Sequence, residues 1–224
     1  MKILHLCDSL NPAGLGGYES YLHYLSEELS AKGHESIVVT QAPKEDSPEI
    51  VEFEHYRIYN LRGNLLEARK WKLFSLPESE RDSAAEKMFR SNDLMLNVET
   101  LEQELSDLIR SVKPDLIHAH SPYVVFNRVL GKIREHSEFG SLPMLATIHG
   151  RPKKLILPGG KETTDYDAFV EVCPFDAILA VSDNVAEVLR SYLKEKGKNV
   201  PVITLYLGVN LSVFCPQPEA TKKW

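Results

Sequence analysis

Five short stretches of the chain carry consecutive apolar residues with few polar interruptions: Ile3–Leu6, Ile37–Thr40, Leu116–Ala119, Met144–Ile148 and Ala177–Val181. Unbroken rather than alternating apolar character means that both faces of a strand are covered, as in a parallel sheet. Val202–Tyr206 reads as a further strand, and so does His55–Leu61, which follows the Pro- and acid-rich turn Pro43–Pro48. Between the strands the apolar period changes from continuous to 3.6 residues. Tyr18, Leu22, Leu25 and Leu29 make one helical stripe, closed by Gly33, a residue that readily takes the left-handed conformation ending a helix. Val98, Leu101, Leu105, Leu108, Ile109 and Val112 make a second, stopped by Pro114, and Val185, Val188, Leu189, Tyr192 and Leu193 a third.

Strand and helix therefore alternate, which predicts an α/β, Rossmann-like doubly wound domain with a mostly parallel sheet and right-handed crossovers. Ligands of such domains bind beyond the carboxyl ends of the strands. Residues 62–97 fit the repeat poorly. They mix Arg62, Arg69, Lys70, Trp71 and Lys72 with the acidic stretch Glu78–Asp82, and read as an insertion of short helices. Basic residues around an aromatic suit an anionic acceptor or the headgroups of a membrane surface, and a solvated helix face has the same composition.

The 224 residues, 43% hydrophobic and 26% charged, suffice for one large domain with a full core. With 26 basic and 32 acidic side chains the formal net charge is −6, so no basic field covers the surface and nucleic acid is not an expected partner. Three widely spaced cysteines, Cys7, Cys173 and Cys215, form no C-x-x-C pair, which fits a reducing cytoplasm. The apolar run at the start stops at Asp8, too short for a signal peptide core, and nothing approaches the roughly 18 apolar residues of a membrane span. A cytoplasmic protein, free or associated with a membrane surface, is the expectation.

Chemistry is expected at the strand ends. Asp8–Glu19 joins the first strand to the first helix as a glycine-rich loop, where free backbone N–H groups and the helix dipole attract anions. A tight turn accounts for the same glycines. A dinucleotide reading fails on Glu19, which takes the last position of G-x-G-x-x-G, and on the lack of an acidic residue at Val39-Thr40-Gln41. Period-two alternation sets His118 and His120 on one face of their strand, near the edge where His149 emerges. Three such imidazoles could hold zinc, but carboxylates to orient them are not evident in Leu116–Ser121 or Thr147–Gly150. As neutral rings they would donate hydrogen bonds to hydroxyls or phosphates of a polar ligand. Ser182 or Asp183 caps the helix after the fifth strand, at a point that also faces the crevice.

These segments together resemble the family 4 retaining glycosyltransferases, whose two facing Rossmann-like domains make the GT-B fold. The resemblance rests on Gly16-Gly-Tyr-Glu19, Lys32-Gly-His-Glu35, Pro114-Asp-Leu-Ile-His-Ala-His120, Ala146-Thr-Ile-His-Gly150 and Ala180-Val-Ser-Asp183. It implies that Gly16 and Gly17 lie against the donor diphosphate, His120 near the transferred sugar, and His118 and His149 around the acceptor pocket. Glu19, Ser121, Gly150, Arg151 and Ser182, beside these motifs, join them as candidate substrate contacts. The resemblance further implies a nucleotide-sugar donor, a sugar, lipid-linked or small-molecule acceptor, and no metal or other cofactor. Residues 1–206 correspond to the acceptor-side domain, and 207–224, with Leu207-Gly-Val-Asn210 where the family usually has Asn-Gly-Val-Asp, to the linker and the start of a donor-binding domain. An isolated half of an enzyme, a subunit of a split enzyme and a non-catalytic binding or regulatory module all fit that layout.

Overall fold

A computed structural model describes residues 1–7, 10, 17–42, 47–63, 76–80, 83, 93–122, 125–156 and 162–208. β1 (Lys2–Leu6) leads through α1 (Gly17–Ala31) to β2 (Glu35–Gln41), and a short β3 (Ile50–Glu52) precedes β4 (Tyr56–Leu61). α2 (Asp93–Val112) crosses to β5 (Leu116–His120), followed by α3 (Val125–Glu135) and β6 (Met144–Ile148). The paired strands β7 (Lys154–Ile156) and β8 (Glu162–Thr164) come next, then α4 (Asp165–Val172), β9 (Ala177–Ala180), α5 (Asp183–Glu195) and β10 (Val202–Thr204).

The main sheet has the order β10-β9-β6-β5-β1-β2-β4-β3, parallel throughout except for the antiparallel β3–β4 pair at one edge. The chain builds outward from β1 through β2 to β4, then crosses back to β5 and builds the other way. β1 and β5 are hydrogen-bonded neighbours, with His5 opposite His118 and Leu6 opposite Ala119. That reversal opens a crevice at the carboxyl ends of β1 and β5, where ligands of doubly wound sheets bind.

The two faces of the sheet are covered unequally. Leu4, Leu6, Ile117, Ala119, Ala146, Ile148, Ile178 and Ala180 face one way and join residues of α2 to α5, among them Leu101, Phe126, Phe169 and Leu189, in one large buried cluster. The other face packs Cys7, Val38, Tyr56 and Ile58 against Leu22 of α1 in a small one. Fully burying a Leu or Ile side chain contributes about 1.5–3 kcal/mol each, so most of the stabilisation lies on the α2–α5 face.

Helix ends follow local chemistry. α1 closes at Gly33, whose φ of 81° lies in the left-handed region, and His34 N–H bonds back to the Leu29 carbonyl. α4 has only eight residues, but Thr164 and Asp167 form a reciprocal capping box that starts it. α3 carries an apolar stripe, Val125, Phe126, Val129, Leu130 and Ile133, that was readable in the sequence and is absent from the expected elements. β3, β7 and β8 are three residues long and lack apolar runs, which is why pattern alone does not find them. α2 begins at Asp93, within the stretch read as an insertion, and runs on through the apolar stripe that starts at Val98. Of the cations singled out in that region, Arg62 is described, and its guanidinium donates to the Ser47 carbonyl at 2.6 Å while its backbone N–H bonds to Glu104. Arg69, Lys70, Trp71 and Lys72 lie outside the described residues, as do Gly16, Asn210 and Cys215.

Candidate functional site

β5 enters the crevice as Leu116-Ile-His-Ala-His120, and the strand alternation sends both imidazoles to the α1 face. Both are buried, with ring centroids 4.2 Å apart. His5 of β1, opposite His118, joins them as a third fully buried imidazole, its ring 5.5 Å from each of the other two. His149 follows β6 directly and lies 5.8 Å from the His120 ring. Tyr21 and Tyr18 on α1 close over this group: Tyr21 meets His149 edge-on at 5.3 Å and His120 at 6.1 Å, and Tyr18 lies 5.8 Å from His149. Three of these positions were expected from the sequence. His5 was not, although the polar residue in Ile3-Leu4-His5-Leu6 breaks an otherwise apolar strand that a doubly wound order places beside β5.

The polar bookkeeping of the four rings is incomplete. His118 Nε2 is 2.7 Å from Thr147 Oγ1 on β6, and His5 Nδ1 is 3.3 Å from His120 Nε2. His5 Nε2, His120 Nδ1 and His149 Nε2 are buried and meet no hydrogen-bonding partner among the described residues. A buried polar atom left unpaired costs about 1–3 kcal/mol, so three in one crevice mark a place that a polar ligand or water completes. Burial is also the first reason that all four rings stay neutral. It pushes His118 and His149 down to about 4, and lowers His5 and His120 well below the ordinary imidazole value, with the neighbouring rings adding to the effect for His5, His118 and His120. Neutral rings each offer one donor and one acceptor. Burial likewise raises the Tyr21 phenol, which stays a hydrogen-bonding group rather than a base.

Metal binding can be tested on the same atoms. His5, His118 and His120 each offer a nitrogen within 4.8 Å of the others, close enough for three ligands of one ion. Metal-binding imidazoles almost always donate their second N–H to a carboxylate, carbonyl or water, which fixes the tautomer. Among the described residues the second nitrogens of His5 and His120 have no partner, while His118 meets the Thr147 hydroxyl. The distances suit one ion, whose His5 and His120 ligands would rest their second nitrogens on water or a bound ligand.

The remaining candidates fall into two places. Gly17 is the first residue of α1 and Glu19 lies in its first turn, where the dipole favours a carboxylate but the carboxylate opposes any anion at the same end. A Cβ added to Gly17 or Gly150 would meet no atom of the described residues within 4 Å. Ser121 turns the chain sharply after His120 with φ 48°, and its N–H bonds to the Thr147 carbonyl at 2.8 Å. Tyr166 of α4 donates its hydroxyl hydrogen bond to the Gly150 carbonyl and holds that turn. Arg151 and Ser182 lie at the adjoining β6–β9 seam: Arg151 Nε donates to Asn184 Oδ1 at 2.8 Å, and Ser182 caps α5, its hydroxyl accepting from Val185 N–H at 3.3 Å. Both have structural tasks that account for them.

Strand order and crevice together define a doubly wound α/β domain with a polar cluster at its switch point. Residues 15–213 match the model of Glycosyltransferase Family 4, and the chain belongs to that family. No curated protein matches the sequence. Among solved structures it is similar to a sucrose-phosphate synthase from Thermosynechococcus elongatus, at 17% identity and TM-score 0.66 over 98% of this chain and 51% of that one. The catalytic domain of starch synthase IV from Arabidopsis thaliana, bound to ADP and acarbose, gives 13% identity and TM-score 0.55 over 94% and 52%. A trehalose-6-phosphate protein from E. coli bound with UDP-2-fluoro glucose gives 13% and 0.51 over 99% and 53%. At these identities the likeness fixes the fold, which is the N-terminal half of a GT-B glycosyltransferase. The chain spans about half the length of these neighbours. No helix among the described residues is long and apolar enough to cross a membrane.

Proposed function

We propose that this chain is the acceptor-side half of a glycosyltransferase that moves a sugar from a nucleotide donor to an acceptor with retention at the anomeric carbon, and that it works with a donor-binding half. The observation that carries the reading is the set of unpartnered, neutral imidazole nitrogens at the β1–β5 switch point of a family 4 chain. His120 is the residue assigned to the reacting sugar. Its ring donates a hydrogen bond to an oxygen of the donor beside the reacting centre, a bond that strengthens where negative charge grows as the glycosidic bond breaks. His118, held by Thr147, and His149 bind acceptor hydroxyls, while Gly17 at the α1 N-terminus leaves room for the donor diphosphate. Glu19, Ser121, Gly150, Arg151 and Ser182 rim this site. No protein nucleophile and no metal enters the scheme. The cations that stabilise the leaving diphosphate come from the donor half, so the described domain alone is a poor catalyst.

The test supplies that half and offers UDP-, ADP- and GDP-sugars with a panel of sugar and lipid-linked acceptors. Transfer with a product of unchanged anomeric configuration by proton NMR is the expected result, and His120→Ala should lower turnover by about 10²-fold. Transfer with inversion, or full activity in His120→Ala, would overturn the scheme.

A further inference from the structure

His5 belongs to no expected motif, yet it is the only protein hydrogen-bonding partner found for the His120 ring among the described residues. One of the two facing nitrogens must carry the proton. If His5 Nδ1–H donates, His120 keeps its proton on Nδ1 and His5 is left with a bare Nε2. If His120 Nε2–H donates, His120 Nδ1 is bare and His5 Nε2 keeps a buried N–H. Both arrangements leave one donor and one acceptor unpaired, because His5 Nε2 and His120 Nδ1 have no partner among the described residues.

Location separates them. His5 is fully buried at the level of His118, and its ring neighbours are His118 and His120. His120 lies two residues nearer the carboxyl edge, where its ring also meets Tyr21 and His149 at the rim of the crevice. Orphaned buried N–H groups are rarer than orphaned acceptors, so the unpaired donor belongs on the ring nearer the carboxyl edge, beside the crevice. The bare acceptor then falls to the inner ring.

We infer that His5 is a positioning residue: its Nδ1–H donates to His120 Nε2 and holds His120 in the tautomer that presents Nδ1–H to a sugar or phosphate oxygen in the crevice. The tautomer follows from the pair itself, whereas its use on a glycosyl ligand rests on the proposed function. In that use His120 is an obligate donor, so the oxygen it meets must accept. A ligand hydroxyl oriented to donate is refused at this position.

The pair is read directly by long-range proton–nitrogen NMR of the chain labelled with 15N-histidine at neutral pH. The expected spectrum assigns the His120 proton to Nδ1 and shows a bare Nε2. His5→Leu removes the donor and should release His120 into a mixture of tautomers, while His5→Asn, whose side-chain amide can stand in for Nδ1–H, should restore the single form. An unchanged amide fingerprint in His5→Asn guards against reading a folding failure as a result. With the donor half supplied, His5→Leu should lower turnover about tenfold with little change in the donor KM, and His5→Asn should recover most of it. A wild-type His120 protonated on Nε2, a His120 tautomer indifferent to His5→Leu, or stoichiometric zinc bound to the three rings would overturn the inference. The expected tautomer combined with no transfer to any acceptor would overturn the proposed function and leave the pairing standing.

Discussion

On the face of the sheet covered by α2 to α5, β1 and β5 present Leu4, Leu6, Ile117 and Ala119, all buried among apolar neighbours. One residue out of phase, on the face covered by α1, the same two strands present His5, His118 and His120, just as buried, with two ring nitrogens unpaired. Burial alone therefore does not separate core from site. What separates them is whether the buried group is satisfied: dispersion and apolar burial reward the first set, and an incomplete hydrogen-bond ledger penalises the second. A fold keeps such a penalty where something outside the chain offsets it, which is the physical content of calling the histidine seam a site.

The sharpest way to break this comparison uses adjacent residues. Leu4→Ala should cost about 2–5 kcal/mol in urea unfolding, through lost burial plus the cavity left in a close-packed cluster. His5→Leu alone should destabilise by less, about 1–3 kcal/mol, because it leaves His120 with both nitrogens unpaired. The double variant His5→Leu/His120→Leu, which removes the orphaned atoms together, should return close to the parent or exceed it. A double variant as damaged as Leu4→Ala would mean that the histidine seam is packed and satisfied like the core, and the distinction would fall.

Much of this was legible in the sequence, for different reasons at different levels. The long strands were readable because continuous apolar runs such as Met144–Ile148 can only be two-sided strands, and that stretch is β6 as it stands. The face shared by His118 and His120 followed from alternation. His5 was not legible as a partner, because its meaning depends on strand order, and β1 meets β5 only once the sheet is assembled. The pairing of β7 with β8 escaped for a related cause: three-residue strands are fixed by partners and by the capping box after them, not by their own composition. Arg62, a cation conspicuous in the sequence, directs its guanidinium to the Ser47 carbonyl, a partner that only the assembled fold reveals.

Acid sharpens the same comparison, with a somewhat smaller effect. An unfolded imidazole titrates near 6.5, and burial holds His118 at about 4 in the folded protein. Between these values the unfolded chain binds a proton that the folded chain refuses, so stability falls as pH drops from 6.5 to about 4 and is level below. Above 6.5 both states are neutral and the contribution is constant. The whole fall attributable to His118 is on the order of 3 kcal/mol. Urea midpoints measured at pH 7 and pH 4.5 should therefore differ less in His118→Gln than in the parent. The core face has no such dependence, so Leu4→Ala should shift the curve without changing its slope in pH. Equal slopes in parent and His118→Gln would show that the ring is not held neutral.

The smallest expected effect tests where the site stops. Ser182 follows β9 at the β6–β9 seam, where its hydroxyl accepts the Val185 N–H and begins α5, and Arg151 is engaged by Asn184. As an N-cap alone, Ser182→Ala should cost about 1 kcal/mol of stability, and Ser182→Gly only a few tenths, because glycine leaves the helix end open to water. Ser182→Asp keeps the cap and adds a negative charge near the helix N-terminus, which the dipole tolerates and a bound phosphate does not. The two roles therefore separate on one position. If Ser182 only caps, Ser182→Asp retains both stability and the affinity for a nucleotide sugar measured with the donor half present. If it also touches the diphosphate, Ser182→Asp keeps stability and loses affinity several-fold at low salt, with part of the loss relieved as added salt screens the charge. Retained affinity would draw the boundary of the site at His149 and Gly150 and leave the β6–β9 seam to the scaffold.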